Sequence, residues 1–165
     1  MAHLALSFLG GFAASRDGAP ISAFGVDKAR GLLAYLAVES AGPHRRARLN
    51  GLFWPELPEK NASHNLSQTL LRLRRALSDI DVPPASVFLR VTAQDAQLNP
   101  AADCAVDVTR FRDLLRLSKR HSHSDPISCP ICYQWLREAA ELYGGDFLAG
   151  LFLPDGECLT VTGRE

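Results

Sequence analysis

The stretch "NASHNLSQTLLRLRRALSD", Asn61 to Asp79, limits the fold of this chain more than any other segment. Ala62, Leu66, Leu70, Leu73 and Leu77 fall within one arc at about 100° per residue, which predicts a helix with a single buried stripe. The opposite arc holds Asn61, His64, Asn65, Gln68, Arg72 and Arg75, flanked by Leu71 and Arg74, with no acid before Asp79. Such a helix needs a core on one side and leaves amide, imidazole and guanidinium groups on the other. Two readings of that face stand open. It is a solvated surface, since Arg and Gln are ordinary helix formers. Or it meets nucleic acid, since Asn and Gln can bond adenine bidentately and Arg guanine, and the basic end can neutralise phosphates.

The segments around it supply the core. Leu4, Leu6 and Phe8 alternate with smaller residues, Gly10-Gly11 breaks the run, Phe12 to Ser15 resumes it and "RDGAP" turns before Ile21, predicting a small antiparallel sheet. From Asp27 the period changes. Ala29, Leu32, Leu33, Leu36 and Ala37 form a helical stripe that ends near Glu39. A shorter helix fits Arg45 to Trp54, with Leu49, Leu52 and Phe53 facing inward, and Pro55 stops it because proline cannot continue the hydrogen-bond ladder. After the long helix, "VFLRV", a "TAQD" turn and "AQLN" read as a β-hairpin over residues 87–98. Sheet, three helices and hairpin follow the element order of a winged helix, whose third helix enters the major groove while the hairpin lies along the DNA backbone.

Residues 101–165 read as a second, helical unit. "VDVTRFRDLLRL" places Val106, Phe111, Leu114 and Leu115 on one stripe, and "CYQWLREAAELY" places Trp135 or Leu136, Ala139, Ala140 and Tyr143 on another, with "GGD" ending the second helix. Two antiparallel helices cannot cover themselves and need the first unit or further helices. The tail "LFLPDGECLTVTGRE" reads as strand-like or irregular. The predicted fold class is therefore an α+β winged helix-turn-helix over residues 1–100, followed over 101–165 by an all-α helical hairpin.

Charge is divided between the halves. Residues 1–90 carry eleven Lys/Arg against seven Asp/Glu, and residues 91–165 carry seven against eleven. A net charge of zero thus hides a basic half suited to anionic partners. No apolar run approaches the roughly 20 residues needed to span a bilayer. The N-terminal "MAHLALSFLGGFAAS" lacks a positive n-region and is interrupted by two glycines, which argues against an export signal. Four cysteines in 165 residues do not make a disulfide scaffold, and a reducing cytoplasm is the expected compartment. No nucleophile elbow, phosphate loop or paired-carboxylate motif occurs, so the chain is not expected to be an enzyme.

"HSHSDPISCPIC", residues 121–132, gathers two of the five histidines and two of the four cysteines. His121 and His123 project to one side if the segment is extended. Cys129 and Cys132 are spaced to grip one ion, and Pro130 suits the first turn of the following helix. Four N/S donors would close a tetrahedral zinc site, which makes any metal here structural. The other reading, equally open, has the cysteines packing a helix N-terminus while the histidines face water. No cofactor is required on either reading, and structural zinc is the one candidate. A redox role lacks the surrounding βαβ pattern.

"LSFLGGF", "DKARGLLAYLAVE", "PHRRARLNGLFWPE", "NLSQTLLRLRRAL", "VDVTRF" and "AAELYGGDFLAGL", in that order, resemble the Streptomyces antibiotic regulatory protein (SARP) class of bacterial transcription regulators. These join an OmpR/PhoB-type winged helix to a bacterial transcriptional activator domain built of tetratricopeptide-like (TPR-like) helix pairs. The resemblance runs from about Leu4 to Leu153. It implies sequence-specific binding of double-stranded promoter DNA, by a protein whose helical part packs on the winged helix and contacts another protein such as RNA polymerase. It also implies dimers on direct repeats, and a truncated activator domain, since relatives continue through further helix pairs. Asn65, Gln68 and Arg72 are the expected base readers, with His64 where the helix enters the groove. Arg74, Arg75 and Arg90 are expected on phosphates, supported by Arg45 and Arg46. One departure is Ser67, where family members often carry a basic residue. The alternative function is a helical interaction module whose winged helix contacts a protein partner.

Overall fold

The computed structural model describes residues 2–84, 86–122 and 128–153. The alternating N-terminal segment forms β1 (Leu4–Ser7), β2 (Ala13–Arg16) and β3 (Ala19–Pro20), paired antiparallel with Leu4 opposite Arg16 and Ser15 opposite Pro20. Asp17 and Gly18 join β2 to β3 with φ of 51° and 81°, the two-residue turn whose twist suits a hairpin.

The helical stripe from Asp27 becomes α1 (Asp27–Val38), with Ala29, Leu32, Leu33, Leu36 and Ala37 all buried. A short strand β4 (His44–Arg45) leads into α2 (Arg46–Phe53), which stops before Pro55. The long helix α3 spans Glu59–Ala76 and buries Ala62, Leu66, Leu70 and Leu73, with Leu77 buried just beyond its end. It begins two residues before Asn61, because the Pro58 carbonyl accepts the amides of Asn61 and Ala62. It also ends short of Asp79. Ser78 turns to a φ of 56°, and the reversal carries Asp79 inward to 1 % exposure. There its carboxylate accepts the amides of Phe88 at 2.9 Å and Leu89 at 2.7 Å. Asp79 therefore anchors the start of the hairpin and is no part of the polar face.

The hairpin comprises β5 (Leu89–Val91) and β6 (Asp95–Leu98), with Leu89 opposite Leu98 and Arg90 opposite Gln97. β4 adds to the far edge of β6, giving a sheet in the order β4-β6-β5.

A sheet crosses the expected boundary at residue 100. Strand β7 (Cys104–Val106) pairs parallel to β1, with Leu4 opposite Cys104 and Leu6 opposite Val106, so the first sheet runs β3-β2-β1-β7. Helix α4 (Asp107–Arg120) starts directly from β7. The Asp107 carboxylate accepts the amides of Phe8 at 2.8 Å and Leu9 at 2.9 Å beyond the end of β1, fastening the helix start to the sheet. Helix α5 (Pro130–Leu142) packs on α4, and Arg110 and Glu138 form a two-pronged ion pair between them at 2.7 and 3.0 Å.

The stripes on this pair differ from the predicted ones. Val106 is a strand residue and Val108 takes its inward place, while Leu114 is buried as expected and Phe111 and Leu115 are half-buried. On α5 the inward face runs through Cys132, Trp135, Leu136 and Ala139; Ala140 and Tyr143 are exposed. Cys132 starts that stripe at the first turn, and one step of about 100° takes Ala140 off it. After α5 the chain returns to β1, where Leu148 donates to Phe8 at 2.7 Å and Gly10 to Asp146 at 3.1 Å. Gly10 and Gly144 meet there backbone to backbone. One continuous core thus includes Leu4, Leu32, Leu66 and Phe88 together with Val108 and Leu148. Among the described residues no helix is long and apolar enough to cross a membrane.

Candidate nucleic-acid interface

The polar face of α3 forms one wall of a groove. His64, Asn65, Gln68, Thr69 and Arg72 line it, opposite Gly25 to Lys28 at the start of α1, with Trp54 and Phe152 at its margins. Four of the residues predicted from the helical arc therefore share one surface. His64, Gln68 and Arg72 are exposed and Asn65 is half-buried. The Thr69 hydroxyl is turned back onto the helix, donating to the Asn65 carbonyl at 2.8 Å. Arg75 is exposed one turn beyond Arg72.

The opposite wall holds a cation that the sequence reading missed. Lys28 sets its ammonium 5.5 Å from the Trp54 ring centroid. The neighbouring acid, Asp27, is engaged by Arg30 at 2.6 Å. The only signal was "DK" in the first turn of α1, and periodicity cannot tell that this turn faces α3.

A second set of cations borders α3. Arg46 donates through Nη1 to the Thr92 carbonyl at 3.3 Å and through Nη2 to the Ser67 hydroxyl, and its amide donates to the Gln94 carbonyl at 2.8 Å. Arg45 donates to the Gln94 side chain at 2.8 Å and pairs with Asp95 at 3.4 Å. The hairpin turn, the start of α2 and the flank of α3 are joined by these two side chains. A guanidinium from α2 therefore stands at Ser67, the position where α3 itself offers only a hydroxyl. Arg90 is exposed on β5. Among the described residues no carboxylate pairs with Arg46, Arg72, Arg75 or Arg90.

Arg74 lies elsewhere. It is half-buried at the end of α3 and donates to the Asp79 carbonyl at 3.0 Å, so its guanidinium holds the turn into the hairpin. Burial raises the Asp79 carboxyl above the usual aspartate value, although the Phe88 and Leu89 amides and the charges of Arg16 and Arg74 oppose the shift.

Apart from this surface, the α4–α5 connection brings together three of the four predicted metal ligands. His121 caps the end of α4, Cys129 caps the start of α5 and Cys132 lies in its first turn. His121 Nδ1 is 3.2 Å from Cys132 Sγ and 3.5 Å from Cys129 Sγ, and the three donor atoms all lie within 4.8 Å of one another. The Cys132 and Ile131 amides lower the Cys129 thiol below its ordinary pKa. Burial, with Cys129 adjacent, raises that of Cys132. Both thiols are free, as is Cys104. His123 lies outside the described residues.

No family model and no curated protein matches the chain. Its structure is similar to that of Mycobacterium tuberculosis EmbR, solved in complex with a low-affinity phosphopeptide, with a TM-score of 0.71 and 24 % sequence identity. The match covers 92 % of this chain and 38 % of EmbR, so the chain spans under two-fifths of that protein. At this identity the likeness is one of fold, a mixed α/β arrangement that in this chain has five helices and two small sheets among the described residues.

Proposed function

We propose that the chain is a DNA-binding transcriptional regulator of the SARP kind, acting in the cytoplasm through a winged helix with a TPR-like helical pair attached. In this reading α3 enters the major groove. Asn65, Gln68 and Arg72 read base edges, and His64 lies at the helix's leading end. The β5–β6 hairpin is the wing. Arg90 on that hairpin, Arg75 on α3, and Arg45 and Arg46 at the start of α2 neutralise phosphates, and Lys28 adds a cation across the groove. No catalytic step is involved.

The observation that carries the reading is the composition of the α3 face. One surface gathers His64, Asn65, Gln68 and Arg72, and among the described residues the arginines around it have no carboxylate partner except that of Arg45. On α5, by contrast, the exposed Arg137 is paired along the helix with Glu141. The fold likeness to EmbR supports the same reading. The direct experiment is selection from a randomised duplex pool, followed by binding of an enriched and a scrambled duplex at two salt concentrations. Enrichment of one sequence class, with salt-sensitive affinity for both duplexes, is expected; no enrichment and no salt dependence would overturn the reading.

A second reading, contact with a protein partner through the same face, is favoured by one feature. Phe152, 74 % exposed, and Trp54 border the polar groove, an apolar edge that nucleic acid does not require. A pull-down that survives nuclease but fails in an Arg72→Ala, Gln68→Ala double variant would select this alternative.

A further inference from the structure

We propose that His121 Nδ1, Cys129 Sγ and Cys132 Sγ form a zinc site that clamps the end of α4 to the start of α5. This inference does not depend on DNA binding.

Distances come first. With Zn–S near 2.3 Å and Zn–N near 2.0–2.1 Å, the edges of a zinc tetrahedron are about 3.5–3.8 Å. The imidazole nitrogen lies 3.2 and 3.5 Å from the two sulfurs, close to that spacing, and all three atoms fall within one ion's reach. Around one ion they would supply three of a tetrahedron's four corners. Donor chemistry comes second. Two thiolates with one imidazole favour zinc over hard cations such as magnesium or calcium, which take oxygen ligands.

The helices supply a third argument. α4 ends at His121 and presents the negative end of its dipole, while α5 begins at Cys129 and presents the positive end of its own. A cation beside the first and thiolates beside the second match both fields. Cys132 is fully buried, and the Trp135 ring packs edge-on against the His121 imidazole with centroids 5.7 Å apart. Both ligand and shield are thus contributed by the inward face of α5. A cluster that only packed the helix N-terminus would not need the imidazole turned Nδ1-first onto both sulfurs.

The test uses the whole chain, purified under reductant without chelator, with bound zinc measured by mass spectrometry and cobalt(II) titrated into metal-stripped protein. Close to one zinc per chain is expected, with a tetrahedral cobalt spectrum carrying a thiolate charge-transfer band. Cys129→Ser is the diagnostic variant, because serine is a good N-cap and keeps the start of α5 intact. It should hold less than about a tenth of an equivalent and lose most of the charge-transfer band. His121→Ala should do the same, and Cys104→Ser, a cysteine on β7, should leave both readouts unchanged. Two results would overturn the proposal. One is a reduced parent protein that holds less than about a tenth of an equivalent and gives no thiolate band with cobalt. The other is a Cys129→Ser or His121→Ala protein, folded by circular dichroism, that binds metal like the parent.

Discussion

Arg46 on α2 donates a hydrogen bond to the hydroxyl of Ser67 on α3 while its other guanidinium nitrogen holds the Thr92 carbonyl in the hairpin turn. One side chain thereby fixes helix, helix and hairpin relative to one another and leaves its charge at the edge of the polar face. If that face meets DNA, Arg46 acts on the phosphate backbone. Arg46→Ala should weaken binding about equally to enriched and scrambled duplexes and reduce the salt slope by about 1. Titrations at several salt concentrations measure this, and an unchanged slope would remove Arg46 from the interface.

Arg72 should behave differently. It lies within the groove with Asn65 and Gln68, so Arg72→Ala is expected to weaken the enriched duplex by about 1–3 kcal/mol. The scrambled duplex should lose far less. Equal losses on both would make Arg72 a phosphate contact.

Asp79 gives a pH dependence of unusual sign. Its carboxyl is raised above 3.8 mainly by burial, so on acidification the folded protein takes up this proton before the unfolded chain does. The Asp79 contribution to stability therefore increases as pH falls through the folded-state value toward 3.8. Urea denaturation between about pH 7 and 4 should show the parent gaining on Asp79→Asn, which cannot titrate there. A parent that loses ground on acidification would contradict the burial-dominated shift. Asp79→Ala should be destabilised by about 2 kcal/mol or more, since the Phe88 and Leu89 amides are left unpaired.

Gly144 tests the docking of the returning segment on β1. A Cβ there would lie 2.8 Å from the Leu9 carbonyl oxygen, and one at Gly10 would lie 2.7 Å from the Gly144 carbonyl. These are backbone atoms that cannot swing aside. Gly144→Ala should lower stability by about 1–3 kcal/mol, whereas Gly51→Ala, on an open face of α2, should raise it by up to about 1 kcal/mol. A Gly144→Ala protein as stable as the parent in urea would show that the segment does not pack this closely.

Zinc should stabilise the chain by mass action. At free metal one hundred times the dissociation constant the gain is about 2.7 kcal/mol. Melting with and without buffered zinc should show it for the parent and not for Cys129→Ser. Equal shifts in both proteins would indicate binding elsewhere.

Local pattern carried much of the architecture. The stripes of α1 and α3, the stop before Pro55 and the hairpin over 87–98 were legible because they repeat every 3.6 or 2 residues and need only a core on one side. The polar face of α3 was legible for the same reason, as the complement of its apolar stripe. The stripe of α5 was misread at Ala140 and Tyr143, where small or aromatic residues fit either side and only the partner helix selects the inward one. The bond from Arg74 to the Asp79 carbonyl was not legible, because Arg74 sits at the helix end, where the turn at Ser78 decides direction. The pairing of β7 with β1 was hidden altogether, since its partners are about one hundred residues apart and no period links them.

The sequence by itself therefore determined which residues turn inward along α1 and α3, where these elements break, and that His, Asn, Gln and Arg share one side of α3. Tertiary structure alone decided that Lys28 lines the same groove as Arg72 and that Arg46 fills the flank at Ser67. It also buried Asp79 on the amides of Phe88 and Leu89, set the half-buried Asp107 on those of Phe8 and Leu9, and turned His121 Nδ1 toward both thiols. Periodicity is set by bonds between near neighbours and survives in any context. The encounter of distant side chains depends on how separate elements share one core, and becomes definite only when that core closes.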